Sequence, residues 1–470
     1  MALVGPSPIT QTNPLIRIAG DLVDEVRVNG NYPPGDKLPD LLRTLKFGGN
    51  PLPMLLKAYE KYGPVFTIRL LHSNSVFALG PEANHQILVS DAQNFLYRKG
   101  HFADLVPLLG DGLLTIDGDF HRSSRRIMLP AFHRERIAGT LDLMNEEIDQ
   151  AIRRWEPDQE LDLYVWTRNL ALRIAMRALF GLDPDKARED LDAAHEFENA
   201  LGFWGQDPVQ QMRRGPFTPW SKMTSARDKL DKLIFGEIAR RRKTGERGED
   251  LMSMLLDAKD EDGTQLSDKH VRDQTMTLLF AGHDTTTATI CFMNYELARA
   301  PQERELLREE RRAFGHDAPD FAAYMGGALP HLDMALEETL RLWPAAWIGP
   351  RRTVDPIVLA GMPVPGNAYV NYSSWASHRL PDVWDAPDEF MPDRFSPENR
   401  KQIPKGAYIP FGAGSRICIG MRFGQLEIRA IMARILRDFD VELKPGWKLR
   451  TSQTPTIGPR NGMPVIVRAA

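Results

Sequence analysis

Two cysteines, Cys291 and Cys418, are all that 470 residues contain. This excludes a disulfide framework and leaves a reducing compartment or a dedicated chemical role for a thiol. Charge of one sign is not in excess either: 59 Lys and Arg stand against 63 Asp and Glu, a formal net charge of −4. No electrostatic footprint of a nucleic-acid binder covers the molecule, so nucleic acid is not expected as a partner. Long apolar runs are scarce as well. One long charge-free stretch, Pro356 to Ser377, is interrupted by Gly361, Pro363, Pro365 and Gly366, and it reads as strands and turns rather than a spanning helix. The opening MALVGPSPITQTNPLIRIAG lacks a basic leader ahead of an apolar run. The expectation is a cytoplasmic protein without signal peptide or transmembrane anchor.

What is present is the make-up of a packed globular chain, 42% hydrophobic and 26% charged, which excludes disorder and fibre. From Val65 to Leu79 two β-branched and aromatic runs are split by a turn, the pattern of a hairpin. Met144 to Trp155, Glu160 to Leu182, Ser221 to Lys243 and Ser267 to Arg299 place apolar residues at three- and four-residue spacing, so the middle is helical. Extended character returns at Ile357 to Ser374. A helix is predicted over Met421 to Asp438, with strands near Val441 to Leu449 and Pro464 to Val467. There is no repeat and no linker. The expected fold class is mainly α with a smaller β portion (α+β), a single domain over 1–470. Its parts are an extension over about 1–35, β-rich segments over about 36–80 and 350–395, and a helical body over about 81–345 and 421–438.

One loop carries explicit chemistry. Phe411-Gly412-Ala413-Gly414-Ser415-Arg416-Ile417-Cys418-Ile419-Gly420 runs into the predicted helix at Met421. A thiol just before a helix N-terminus faces unpaired N–H groups and the positive end of the dipole, which favour thiolate, a ready metal ligand. Gly414 and Gly420 would let the backbone turn tightly and approach a flat cofactor, Phe411 would shield the sulfur, and Arg416 would reach a carboxylate at the cofactor's edge. Phe-x-x-Gly-x-Arg-x-Cys-x-Gly fixes five residue types, and a random match is on the order of one in ten thousand at typical frequencies. The loop resembles the haem-binding loop of the cytochrome P-450 family. The resemblance implies that Cys418 is the axial metal ligand of a haem b, an iron protoporphyrin IX, since no Cys-x-x-Cys-His is present for covalent attachment.

Three further patterns follow in family order. Ala281-Gly282-His283-Asp284-Thr285-Thr286 interrupts a long helix with poor helix formers, a local sacrifice expected at functional sites. A hydroxyl beside a carboxylate, in a distorted turn that holds water, suits proton delivery to bound O2. By resemblance Thr285 is the distal hydroxyl, Asp284 the acid of the relay, and Ala281 and Gly282 lie over the haem. Cys291 is buried packing. Glu338 and Arg341, three apart on a predicted helix, together with Arg394 in Phe390-Met391-Pro392-Asp393-Arg394-Phe395, match the family's buried charge network. His121 and Arg125, one turn apart, match the helix that binds haem propionates. Arg351 or Arg352 supplies a further contact, with Arg351 preferred.

The resemblance implies a haem-thiolate monooxygenase acting on O2 and a small apolar organic substrate. A peroxide-dependent or isomerase-type enzyme would not need the Asp284–Thr285 pair, and neither would a haem sensor. Nothing after Cys418 has the length or the cysteines of a flavin or iron–sulfur domain, so electrons are expected from a ferredoxin or flavodoxin with its reductase. Arg122 and Arg126 near the propionate helix, with Arg422 and Arg429 after Cys418, suggest a basic face for an acidic donor. By family position the pocket draws on Leu278, Ala281, Ala345, Ala346, Trp347, Ile348 and Ile457, and on the segments Phe95 to Leu114, Phe197 to Pro219 and Thr454 to Ile457. These are mostly apolar and suit a lipid-like, terpenoid or steroidal molecule. Phe203, Trp204, Phe217 and Trp220, beside Arg213 and Arg214, read as a pocket lid rather than a membrane contact.

Overall fold

The computed structural model describes residues 14–28, 30–182, 185, 193–204, 208–259, 263 and 265–470. The first thirteen residues of the extension and 205–207 of the expected lid lie outside them.

The organising element is the 32-residue helix Asp268–Arg299, begun by Ser267, whose hydroxyl accepts the His270 N–H. Most side chains along it are buried, because the helices Leu163–Phe180, Pro219–Thr244, Pro330–Leu342 and Met421–Asp438 all pack against it. A helix enclosed on all sides does not need one apolar stripe, and this one has threonines all round it. The helix expected from Glu160 begins at Leu163 instead, because the Asp162 carboxylate accepts the Tyr164 and Val165 N–H groups as an N-cap. Glu160–Asp162 is freed to form a strand.

The β portion joins both ends of the chain. The hairpin Val65–Arg69 and Asn74–Ala78 lies in a six-stranded sheet, between Gly35–Asp36 on one side and Tyr369–Tyr372, Gly349–Thr353 and Phe95–Leu96 on the other. Asn74–Ala78 runs parallel to Tyr369–Tyr372, which needs a long crossover, and the helical body supplies it. A second sheet ties Phe439–Leu443 and Pro464–Ala469 to Glu160–Asp162. Cys418 therefore enters the interior between the β-rich and helical parts, at the start of the helix Met421–Asp438. No helix among the described residues is long and apolar enough to cross a membrane.

Candidate active site

The cysteine loop is shaped by main-chain geometry. Gly412 and Gly414 have φ of 69° and 64°, and a Cβ at Gly414 would run into the Leu88 carbonyl, so only glycine fits there. Gly420 differs from expectation. Its φ is −87°, an ordinary value, and the one side chain near a Cβ there would be the Phe132 ring at 3.9 Å. Glycine at this point keeps space open rather than relieving strain. The Cys418 N–H closes the loop on the Phe411 carbonyl at 3.0 Å, and the Arg125 guanidinium donates to the Ile417 carbonyl at 2.7 Å, clamping the residue before the thiol.

The Cys418 side chain is accessible although protein is packed densely around it, so the thiol faces open space. Burial pushes it up, and the Gly420 and Met421 N–H groups and Arg125 only partly counter this. The N–H groups at the helix N-terminus favour the thiolate as expected, but burial outweighs them.

Beside the loop lies a buried cluster of cations. Arg416 donates to Asp117 at 2.7 Å and stacks on Tyr97, 4.1 Å from the ring centroid. Its Nη1 is buried with no partner. Arg351 also lies over the Tyr97 ring, 3.4 Å from its centroid, and donates to the Tyr97 hydroxyl oxygen. Burial, with Arg416 and Arg125 nearby, drives His121 down to about 3, so it is neutral at physiological pH. Three guanidiniums and an imidazole held around one spot, with one donor unmet, form a cradle for carboxylates. Adjacent residues in a strand face opposite ways. Arg351 faces this cluster, whereas Arg352 donates to Asp24 of the helix Pro14–Arg27 at 2.7 Å.

On the central helix, residues 281, 282 and 285 are the only incompletely buried positions between Met276 and Asn294. They share one helix face. A Cβ at Gly282 would meet nothing within 4 Å, so this face borders open space. The distorted turn expected here is absent, because the helix is continuous. The Thr285 hydroxyl donates to the Ala281 carbonyl at 2.7 Å, a back-bond of the kind that often bends helices slightly. Asp284 points away from the open face, 3.3 Å from Arg168 and 3.7 Å from His283. His283 is fully buried, and burial holds it near about 3.

Behind the loop, Arg341 and Glu338 are both completely buried and doubly bonded, at 2.6 and 2.8 Å. Arg341 also donates to the carbonyls of His378, Pro387 and Glu389, and Glu338 accepts from the Met391 N–H and from Arg394. The expected pocket residues do not share one face. Leu278 lies one turn before Ala281 and is buried. Ala345, Trp347 and Ile457 are packed in a core cluster, with the Ile457 N–H on the Ala345 carbonyl at 2.9 Å and Ile348 half-buried against the same cluster, while Ala346 is exposed. Arg429 leaves the expected basic face: it is buried and paired with Asp333 at 2.6 Å.

A family profile for cytochrome P-450 matches residues 33–463. The chain belongs to the cytochrome P-450 family. Cyclooctatin synthase of Streptomyces melanosporofaciens is 33% identical over 370 residues, covering 76% of this chain and 79% of the relative. Cyclooctat-9-en-7-ol 5-monooxygenase of the same organism is 31% identical, covering 88% and 90%. The solved retinoic acid bound cyanobacterial CYP120A1 superposes with a TM-score of 0.84 at 28% identity, over 94% of this chain and 100% of that one. As a cytochrome P-450 the chain is a haem-iron monooxygenase, an oxidoreductase with the expected mainly α fold. Sequence reasoning missed Tyr97, Arg168 and Glu427. No motif spacing marks them, since each meets its partner only through tertiary packing.

Proposed function

We propose that this cytochrome P-450 holds haem b through Cys418 and inserts one oxygen atom of O2 into an apolar, terpenoid-like substrate. Electrons come from a separate ferredoxin or flavodoxin and its reductase. The observation that carries the reading is the thiol loop itself, with Arg125 on the Ile417 carbonyl and the partner-deficient Arg416 two residues before Cys418, in a chain whose central helix leaves an open face at residues 281, 282 and 285. Haem, when bound, supplies the redox-active iron at which O2 is reduced and cleaved.

The chain's own residues do the rest. Cys418 offers the sulfur, and His121, Arg125, Arg351 and Arg416 receive two carboxylates, ending the unmet state of Arg416 Nη1. Phe411, Gly414 and Gly420 would shape the loop that holds the haem, and the open face at Ala281 and Gly282 would leave room for it. The Thr285 hydroxyl can turn from the Ala281 carbonyl to hold a proton at the open face, and Asp284 would replenish it by swinging from Arg168 toward that face. Arg168 keeps the Asp284 carboxylate oriented. Glu338, Arg341 and Arg394 fix the meander behind the loop.

Support for the substrate class comes from the apolar walls at Leu278, Ala281 and Ile348, and from relatives named for retinoic acid and a cyclic alkenol. A spectral titration of the haem-loaded protein with retinoids, diterpenes and steroids tests it. A saturable shift of the haem absorption with at least one apolar class is expected. Response only to small polar ligands would overturn the assignment.

A further inference from the structure

The cysteine loop and the buried charge pair are separate motifs in the sequence, and one side chain joins them in space. His378 has no access to water and stands between the end of the helix Pro330–Leu342 and the start of the loop. Its Nδ1 lies 3.0 Å from the Arg341 carbonyl, and its Nε2 accepts the Ile409 N–H at 2.9 Å. Its own carbonyl accepts from the Arg341 guanidinium at 2.9 Å. Ile409 comes two residues before Phe411, whose carbonyl takes the Cys418 N–H.

These partners leave the imidazole one state. A carbonyl only accepts and a backbone N–H only donates, so Nδ1 carries the proton and Nε2 offers a lone pair. Burial, joined by the charges of Arg341 and Arg379, holds His378 down to about 3 against the pull of the Arg341 carbonyl, and the ring is neutral at physiological pH. Protonation at Nε2 would set a donor against the Ile409 N–H. Both polar ends of the ring are therefore used, one on a carbonyl in the last turn of a helix and the other on the loop.

The remaining ties of the loop lie on either side of Ile409. Upstream, the Tyr408 hydroxyl donates to the Glu337 carbonyl at 3.0 Å. Downstream, the Gly412 N–H closes a turn on the Ile409 carbonyl at 3.1 Å, and Arg125 holds Ile417. Gly412, at a φ of 69°, lets the chain turn tightly but adds no stiffness, so the direction of the turn is set by what anchors Ile409. We propose that His378 is a positioning residue for Cys418, a bridge in one tautomer that hangs the start of the cysteine loop on the helix of Glu338 and Arg341. This rests on Cys418 as the haem ligand and deepens that reading, because it gives a residue outside the loop a part in setting where the sulfur stands.

The test separates the two arms of the ring. His378→Asn places its polar atoms near the site of Nδ1 and keeps the Arg341 contact alone, whereas His378→Gln reaches the site of Nε2 and keeps the Ile409 contact. Hydrogen exchange at the Ile409 amide and the carbonyl-bound absorption of the reduced, haem-loaded protein are read together. His378→Asn should exchange about tenfold faster at Ile409, and a large fraction of its carbonyl band should move to the position of a haem without thiolate. His378→Gln should keep both readouts near wild type. Ile238→Ala, in the core on the helix Pro219–Thr244, should lower Tm with both readouts unchanged, which sets general loosening apart from loss of the bridge. Failure to load haem in His378→Asn but not in His378→Gln counts as the same displacement of the thiol. A wild-type band in His378→Asn overturns the proposal, as does a His378→Gln variant equally damaged or a band lost equally in Ile238→Ala. A wild type without the far-red band takes down the reading of Cys418 instead, while exchange at Ile409 still reports on the bridge.

Discussion

Replacing Arg341 with alanine removes five hydrogen bonds from a position with no access to water. Glu338 keeps the Met391 N–H and the Arg394 guanidinium, so its stranded charge costs about 3 kcal/mol, the lower end for a broken buried pair. Three carbonyls, of His378, Pro387 and Glu389, each lose their charged donor at about 1 kcal/mol apiece. The expected loss is about 6 kcal/mol, a large part of the roughly 5–15 kcal/mol by which proteins are stable. Unfolding entropy of about 2.1 cal/mol/K per residue over 470 residues makes this about 6 °C in Tm. Arg341→Lys keeps the charge but not the planar fork and should fall about halfway. The assay is thermal unfolding by circular dichroism, with haem content of the purified variants alongside. Arg341→Ala with full haem content and a Tm within about 1 °C of wild type would refute the reasoning, because the network would then be replaceable by water.

Glu427 is buried, with only the Thr286 hydroxyl at 3.4 Å as partner, and burial pushes its carboxyl up from 4.5 to about 8. Below the lower value both folded and unfolded forms hold the proton. Between the two the unfolded chain releases it and the folded chain does not, so stability falls as pH rises, by about 1.4 kcal/mol per pH unit from this group. Glu427→Gln should flatten urea midpoints across that window, and an unaltered slope removes Glu427 from the account. Thr285→Ala should keep haem and reduction but divert electrons to peroxide, with product formation down by about a hundredfold; wild-type coupling in that variant contradicts the proton-holding role. Arg122→Glu/Arg422→Glu should slow the first reduction by an acidic ferredoxin at low ionic strength, with the difference shrinking in salt. Stopped-flow rates indifferent to both charge and salt would show those exposed arginines to be a solvated rim.

The parts of this molecule legible in the sequence are those where one short segment carries its own reason. The helix Met421–Asp438 matches its expected span because apolar periodicity and the glycine before it act locally. The Glu338–Arg341 pair is one helix turn long, so its spacing already brings the groups together. What the sequence leaves hidden depends on distant partners. Tyr97 lies between Arg351 and Arg416 only because three separate segments converge. The choice between Arg351 and Arg352 turns on strand register, which a run of two arginines does not display. The back-bond of Thr285 and the raised Cys418 thiol are properties of burial.

The central claim is that Cys418 carries the iron. The carbonyl-bound absorption of the reduced protein tests it in wild type and in Cys418→His, with Cys291→Ser as the control for a buried thiol that faces Thr167 instead. Wild type and Cys291→Ser should absorb far to the red of a histidine-ligated haem, and Cys418→His should lose that shift. The same red-shifted band in Cys418→His, or its absence from wild type, would contradict the account.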